Sequence, residues 1–193
     1  MSDVGVTRTR RSLSNGAWGA LLLIAAETAL FGTLLGSYYY LRFNSATWPP
    51  DGVELPAVAL PVALTGALVL SAPPMLLAAD AARRGRRTAA WLWIGVATVL
   101  QAGYLAWQIV LYADDAATLV PTESAYASIY LTLLLVHHAH VAIGVLLDVW
   151  VLTRLAGGLT SYRQTTVRVV ALYWAFVAAV GVLVVLTQVS PSL

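Results

Sequence analysis

Five long apolar stretches alternate with short polar segments along this chain. The stretches cover about residues 17–40, 57–79, 89–112, 125–153 and 167–189. Each is long enough for an α-helix to cross a hydrocarbon core of about 30 Å. Because only helices satisfy their own backbone hydrogen bonds in lipid, the pattern predicts an all-α polytopic membrane protein, a bundle of five transmembrane helices.

Short polar connections between the stretches predict one compact domain. We expect residues 17–190 to form a single antiparallel bundle, with residues 1–16 as an N-terminal segment and residues 191–193 as a tail. The first stretch exceeds the apolar region of a typical signal peptide and lacks a convincing cleavage site. We therefore interpret it as a retained first helix.

The arginines fall almost entirely on one side of the predicted bundle. Ten of the eleven lie in the N-terminal segment, in residues 83–87 or in residues 154–168, whereas the other two connections carry acidic residues. Because positively charged connections stay in the cytoplasm, this pattern places the N-terminus there. After five crossings, the C-terminus is then periplasmic or extracellular.

Composition narrows the class of protein further. Hydrophobic residues make up 60% of the chain and charged residues 10%, which leaves too little polar surface for a soluble globule. Without cysteine, disulfides and thiolate metal sites are excluded. The basicity comes from a few arginine clusters, so we expect no nucleic-acid partner. The alanine, arginine and glycine bias without lysine suggests a GC-rich bacterium, and hence a bacterial cytoplasmic (inner) membrane.

Prolines interrupt the second apolar stretch, which contains Pro61 and the pair Pro73-Pro74. Proline removes a backbone donor and crowds the preceding turn, so the cytoplasmic half of this helix is expected to bend or unwind locally. A packing kink explains this without further function. A transport hinge is the alternative, but such interruptions usually occur in two repeated halves, and this chain shows no repeat.

A single acidic residue, Glu27, lies near the middle of the first apolar stretch. An ionisable side chain at mid-membrane costs about 2.5 kcal/mol or more, so it is expected to face other helices or water. One interpretation is a protonated carboxyl group hydrogen-bonded to a neighbouring helix. The other is a proton-active or partner-facing carboxyl group.

The fourth apolar stretch contains all three histidines and carries a polar stripe. At about 100° per residue, Gly144 and Asp148 project within roughly 20° of His137, while His140 lies some 60° aside and His138 about 100° away. The polar stripe consists of Tyr126, Tyr130, His137, Gly144 and Asp148, with His140 at its edge. Polar groups are costly against lipid tails, so we expect the stripe to face the bundle or a partner subunit.

Other chemistry for these residues has weaker support. Histidines spaced like His137 and His140 can chelate a metal, but a further ligand would have to come from Glu27 or Asp148. A bis-histidine haem commonly takes ligands from facing helices, whereas these imidazoles lie on one helix. No serine nucleophile motif is present. The residues by themselves therefore indicate a non-catalytic five-helix membrane subunit with no metal or redox centre.

Motifs in all five stretches together resemble subunit III of the haem-copper terminal oxidases, in the form that lacks two N-terminal helices. The resemblance spans most of the sequence, and Glu27 matches that family's membrane-buried carboxylate. The other matching positions are Trp18, Ser37–Tyr40, Pro61, Thr65, Ser71, Arg87, Gln108, Tyr112, His137, His140, Gly144, Tyr173 and Trp174. Leu111, Ala175 and Ala178 depart from it, since the family has glutamate, histidine and aspartate there.

The resemblance implies a subunit without redox cofactors or an active site of its own. Haem and copper are then expected in partner subunits: a catalytic subunit I, with subunit II in the same complex. It further implies that the chain binds membrane phospholipid between helices and keeps proton uptake and turnover stable. Our hypothesis is that Glu27 and the histidines hold helix contacts or lipid near the interface with the catalytic subunit.

Several alternatives remain open at this point. Within the same lineage, the complex is a cytochrome c oxidase coupling electron transfer to proton pumping, or a quinol oxidase, or a nitric oxide reductase with a related accessory subunit. From a different class, a small proton channel or transporter would line an aqueous path with Glu27 and the histidines. A free-standing membrane cytochrome is the third option.

Overall fold

The computed structural model describes residues 15–192 and contains six α-helices followed by a short 3₁₀ turn. The helices are α1 (Asn15–Phe43), α2 (Ala59–Leu70), α3 (Ala72–Arg83), α4 (Arg87–Thr118), α5 (Ala125–Ala156) and α6 (Ser161–Val189), and the turn is Ser190–Ser192. Most of the expected N-terminal segment 1–16 and the last residue of the tail lie outside the described residues.

Five helical segments are long and apolar enough to cross a membrane, which confirms the all-α, five-span prediction. These segments are Trp18–Phe43, Ala59–Arg83, Arg87–Thr118, Ala125–Ala156 and Ser161–Ser192. Successive spans run in opposite directions because short connections join them.

The second span is interrupted at Ser71, where α2 ends and α3 begins. Pro73 and Pro74 lie in the first turn of α3, where backbone N–H groups have no intrahelical acceptor. Their missing donors therefore cost little at this position. At the last turn of α2, the Leu68 carbonyl oxygen accepts from the Ser71 backbone N–H at 3.1 Å and from the Ser71 hydroxyl at 2.7 Å.

The helices extend beyond the apolar stretches that the sequence pattern marks, as α4 and α5 show. The third span continues to Thr118, so Asp114 and Asp115 lie in the last turns of α4 instead of in a connection. The fourth span continues to Ala156, and only four residues separate it from α6. Helical hydrogen bonds do not require apolar side chains, so a helix can continue past the hydrocarbon region.

The buried interior has two parts, and α5 and α6 contribute to both. Near the arginine-rich ends, alanines of α3 and α4 pack closely against α6, with Trp174 at the centre. Near the acidic ends, Phe31 of α1 packs with Tyr126 and Tyr130 of α5. Among the described helices, α1 contacts only α5 and α6, so much of its surface is open to lipid or to another subunit.

Hydrogen bonds join the ends of distant helices. Arg87, at the start of α4, donates to the Ala156 carbonyl oxygen at 2.7 Å. At the opposite end of the bundle, Arg42 donates to the Ser190 hydroxyl at 2.5 Å and to its carbonyl oxygen at 3.2 Å. The arginine-rich connections therefore meet at one end, while Arg42 lies with the last residues of α6 at the other.

Candidate functional site

Glu27 of α1 and His140 of α5 form a direct pair. The Oε2 atom of Glu27 lies 2.9 Å from the Nε2 atom of His140. The side chain of Glu27 is 21% exposed and that of His140 13% exposed, so the pair lies at the edge of the bundle. The Phe31 ring packs on the imidazole edge-on, with 5.1 Å between ring centroids. The two residues link α1 to the centre of the fold.

The second imidazole nitrogen shows how protons are arranged in this pair. The Nδ1 atom of His140 lies 2.7 Å from the Val136 carbonyl oxygen, which can only accept, so Nδ1 carries a proton and donates. The bond between Nε2 and Glu27 then contains one further proton. With that proton on Glu27 both groups are neutral, and with it on His140 they form an ion pair.

His137 lies one turn from His140 but faces a different helix. Its Nε2 atom lies 3.3 Å from the Tyr104 hydroxyl group of α4, and its side chain is buried. The Nδ1 atom of His137 has no hydrogen-bond partner among the described residues. His138 is also buried and meets the rings of Tyr104 and Tyr112 edge-on.

Asp148 forms a second polar centre in the interior of the bundle. It is fully buried, and its Oδ1 atom accepts a hydrogen bond of 3.0 Å from the Trp174 indole N–H of α6. The Gln101 amide of α4 lies between Asp148 and Ser71, with one amide atom 2.7 Å from Asp148 Oδ2 and the other 3.2 Å from the Ser71 hydroxyl oxygen. Gly144, also buried, leaves the space that the Trp174 ring fills.

The two tyrosines of the polar stripe form their side-chain contacts near the acidic end of the bundle. The Tyr130 hydroxyl donates to Asp115 Oδ2 at 3.0 Å and accepts from the Gln188 amide at 2.9 Å. Tyr126 stacks on Tyr130 and meets Trp48 edge-on. These contacts join α4, α5 and α6 to the connection between α1 and α2.

A surface cavity of about 210 Å³ lies at the arginine-rich end, between the end of α5 and the start of α6. Its polar lining includes Arg154 and Arg163, with Trp150 and Tyr162 beside them. The guanidinium of Arg154 lies 5.5 Å from the centre of the Trp150 ring. Arg163 donates to the Gly158 carbonyl oxygen at 2.6 Å. Neither arginine forms an ion pair with a carboxylate of the described residues.

The structure buries the whole polar stripe but gives its members different partners. All five stripe residues face inward. Four of them, Tyr130, His137, Gly144 and Asp148, contact α4 or α6. Tyr126 contacts Trp48 in the connection between α1 and α2, and only His140 contacts Glu27. Among residues 15–192, no three histidine, aspartate or glutamate side chains are grouped as a metal site.

The residues of the family resemblance divide into buried and exposed positions. Pro61, Thr65, Ser71, Gln108 and Trp174 are buried. Trp18 is 53% exposed and Arg87 is also exposed, which suits a residue at an interface and one at a helix start. Tyr112 is half-buried and contacts His138, and the hydroxyl group of Tyr173 donates to the His140 carbonyl oxygen at 2.8 Å.

Sequence reasoning missed three parts of this site. The sequence patterns did not indicate Tyr104, although it follows Gln101 by one turn on the buried side of α4. His138 projects about 100° away from the stripe, yet α4 covers that side of α5 too. Arg154 and Arg163 were used only as topology signals. Their spacing across a Gly157-Gly158 turn could have indicated that they converge.

The fold and the buried polar groups define a polytopic helical membrane protein, and comparison with known families specifies it. Residues 7–189 match the family model described as cytochrome c oxidase subunit III. Because the match covers nearly the whole chain, this protein belongs to the cytochrome c oxidase subunit III family.

Some individual relatives are named as subunits of quinol oxidases and others as subunits of cytochrome c oxidases. The chain is 29% identical over 177 residues to cytochrome bo(3) ubiquinol oxidase subunit 3 of Pseudomonas aeruginosa, covering 88% of this chain and 82% of the relative. It is 30% identical to quinol oxidase subunit 3 of Bacillus subtilis, covering 86% of this chain and 82% of the relative. It is also 30% identical to cytochrome c oxidase subunit 3 of the same organism, covering 86% and 81%. Family membership thus identifies a subunit III but not the electron donor.

Proposed function

We propose that this chain is the non-catalytic subunit III of a haem-copper respiratory oxidase in a bacterial cytoplasmic membrane. It packs beside a catalytic subunit I, in a complex that also contains subunit II, and those partners hold the haem and copper. Family membership over residues 7–189 carries this proposal. The burial of His137, His138 and Asp148 between helices supports it, because these side chains contact other residues of the bundle.

A bound phospholipid is part of the proposed function. Arg154 and Arg163 line one cavity at the end of two membrane spans, where lipid phosphates lie. Arginine suits phosphate because its planar guanidinium donates several hydrogen bonds at once. Trp150 and Tyr162 are residue types that favour the membrane interface. The cavity therefore fits the phosphate group of an anionic phospholipid.

The same lipid would connect this cavity to the Glu27–His140 pair. His140 precedes Arg154 by fourteen residues on α5, which is about 21 Å along the axis and about 40° around it. An acyl chain extending from a phosphate at Arg154 would thus run along the side of α5 that carries His140. In this arrangement Glu27 and His140 lie beside the lipid, at a surface of α1 that is open to a partner subunit.

Lipid retention tests the cavity. In the purified complex, replacing both arginines (Arg154→Gln with Arg163→Gln) should release the anionic phospholipid that mass spectrometry detects with the wild type. Arg168→Gln is the matched control, since Arg168 is exposed at the same end of α6 and does not line the cavity. Equal phospholipid content in the double variant and the control would refute the lipid assignment.

Assembly of the complex and its inactivation during turnover test the role of the Glu27–His140 pair. We expect Glu27→Ala to weaken association of this subunit or its lipid and to speed turnover-dependent inactivation of the oxidase. Thr28→Ala is the control, because Thr28 is exposed and bonds only to its own helix at Ile24. Unchanged lipid content, assembly and inactivation rate in Glu27→Ala would count against a role for the pair.

Cytochrome c is the electron donor we propose, following the description of the matched family. Quinol is the second candidate, because relatives named as quinol oxidase subunit 3 match at the same identity as those named for cytochrome c. Oxygen consumption by the purified complex with reduced cytochrome c, and separately with a quinol, decides between them.

We also propose that the N-terminus is cytoplasmic and the C-terminus periplasmic. The arginine-rich connections meet at one end of the bundle, and the positive-inside rule places that end in the cytoplasm. Reporter domains fused to each terminus should be active on opposite sides of the membrane. Activity of both reporters on one side would contradict this orientation.

A further inference from the structure

Asp148 is a buried carboxyl group that the proposed function does not use. Its side chain is fully buried in α5, about eight residues or ~12 Å from the end of that helix. Among residues 15–192, no arginine or histidine forms an ion pair with it. An ionised carboxylate in an apolar interior is costly without a cation, so the neutral acid is the favoured form unless the neighbours compensate.

The neighbours of Asp148 are all uncharged. Trp174 reaches it from α6, Gln101 and Thr98 from α4, and Ser71 lies behind Gln101 at the break between α2 and α3. Among histidine, aspartate and glutamate side chains, the described residues contain no cluster of three. The carboxyl group therefore has hydrogen-bond partners but no charge to balance a negative one.

The Gln101 amide can adopt two orientations, and each corresponds to one protonation state of Asp148. The two orientations exchange the oxygen and nitrogen atoms and leave the other atoms in place. With the amide oxygen toward Asp148, that oxygen lies 2.7 Å from Oδ2 and 3.1 Å from the Ala97 carbonyl oxygen, which can only accept, so a bond forms only if Oδ2 carries a proton. With the amide nitrogen toward Asp148, the nitrogen donates to an ionised Oδ2 and also to the Ala97 carbonyl oxygen at 3.1 Å.

The first orientation gives an uninterrupted chain of donors. A protonated Asp148 donates to the Gln101 oxygen, and the Gln101 nitrogen donates to the Ser71 hydroxyl oxygen at 3.2 Å. The Ser71 hydroxyl then donates to the Leu68 carbonyl oxygen at 2.7 Å. In the second orientation the single proton of Ser71 must turn to the Gln101 oxygen and leave Leu68. The 2.7 Å separation lies within the usual range of both O–H···O and N–H···O bonds, so the burial of Asp148 without a cation, and not this distance, favours the protonated form.

We propose that Asp148 is a proton-binding site, held as a neutral carboxylic acid that donates to Gln101 and thereby fixes the Ser71 hydroxyl at the helix break. Its ligand is a single proton. Loss of that proton reverses the Gln101 amide and turns the Ser71 hydroxyl away from the Leu68 carbonyl oxygen, which keeps its bond of 3.1 Å from the Ser71 backbone N–H. Protonation inside the bundle is thus coupled to the orientation of the Ser71 hydroxyl at the interruption of the second span.

Infrared spectroscopy of the purified complex tests this directly. A neutral carboxylic acid gives a carbonyl stretching band that a carboxylate lacks. At pH 7 we expect one such band to shift on labelling aspartate with ¹³C and to be lost in Asp148→Asn. Asp114→Asn is the control, because Asp114 is an exposed aspartate at the end of α4 and does not touch this cluster. A band unchanged in Asp148→Asn, or no ¹³C-aspartate band at pH 7, would overturn the proposal.

A second variant tests the geometry and remains informative if Asp148→Asn fails to assemble. Trp174 donates to Oδ1, which is the carbonyl oxygen when Oδ2 carries the proton. Trp174→Phe removes that donor, so the aspartate band should move to higher frequency. Trp107→Phe, at an exposed position of α4, should leave it in place. Equal frequencies in Trp174→Phe and Trp107→Phe would refute the assigned proton position.

Discussion

Gly144 occupies a position in α5 that has no space for a side chain. A methyl group placed on it would lie 2.5 Å from the Cζ2 atom and 2.8 Å from the Cη2 atom of Trp174. Both separations are far below the usual carbon–carbon contact of about 3.5–4.0 Å. The Trp174 ring is buried and is fixed by its bond to Asp148, so it cannot turn into open space. We therefore expect Gly144→Ala to force α5 and α6 apart.

The cost of Gly144→Ala has two parts. Overpacking a well-filled interior costs about 1–3 kcal/mol. Displacing the indole from Asp148 leaves a buried donor and acceptor without partners, which costs about 1–3 kcal/mol more. The higher helix propensity of alanine recovers up to about 1 kcal/mol. The sum is a loss of about 1–6 kcal/mol, and at roughly 2–4 °C per kcal/mol the melting temperature should fall by on the order of 10 °C.

Thermal unfolding of the detergent-solubilised protein, followed by intrinsic tryptophan fluorescence at one fixed heating rate, measures this effect. Gly103→Ala on α4 is the matched control, since no atom lies within 4 Å of a methyl group added there. That variant should melt at or slightly above the wild-type temperature. If Gly144→Ala and Gly103→Ala melt within the experimental error of each other, the close approach of α5 and Trp174 is refuted.

Two further substitutions test the acidic end and exposed ion pairs. Tyr130→Phe removes the hydroxyl that is hydrogen-bonded to both Asp115 and Gln188. This should cost about 1–3 kcal/mol of folding free energy and lower the melting temperature measurably. An unchanged melting temperature would contradict this hydrogen-bond network. Asp80→Asn breaks ion pairs with Arg83 at 2.6 Å and with Arg84 at 2.7 Å. Because exposed ion pairs contribute little, the melting temperature should stay within error, and a clear fall would contradict this.

Much of the fold follows from the order of apolar and polar residues. A run of about 23 apolar residues can only be satisfied in lipid by a helix, so five spans were predictable. Because Pro73 and Pro74 lack backbone donors, the interruption of the second span was predictable too. The ends of the helices were harder to predict. Helix α4 continues through Asp114 and Asp115, because polar residues neither require nor prevent a helix beyond the hydrocarbon region.

The sequence predicted which residues of the site face the bundle, but not which residues of different helices contact each other. Helical projection shows which side of α5 carries His137 and Asp148, but it does not show which helix lies opposite. The contacts of His140 with Glu27, and of Asp148 with Gln101, depend on how the helices pack together. The pairing of helices is a tertiary property that a single-helix pattern does not contain.

Purification through a tag on this chain tests the central claim most directly. In mild detergent, the chain should bring a haem-containing partner with it, detected by the optical spectrum and by mass spectrometry. After separation from its partners, the chain itself should show no haem absorption. A subunit III role would be contradicted if the isolated chain carried haem, or if it purified from native membranes without a haem-containing partner.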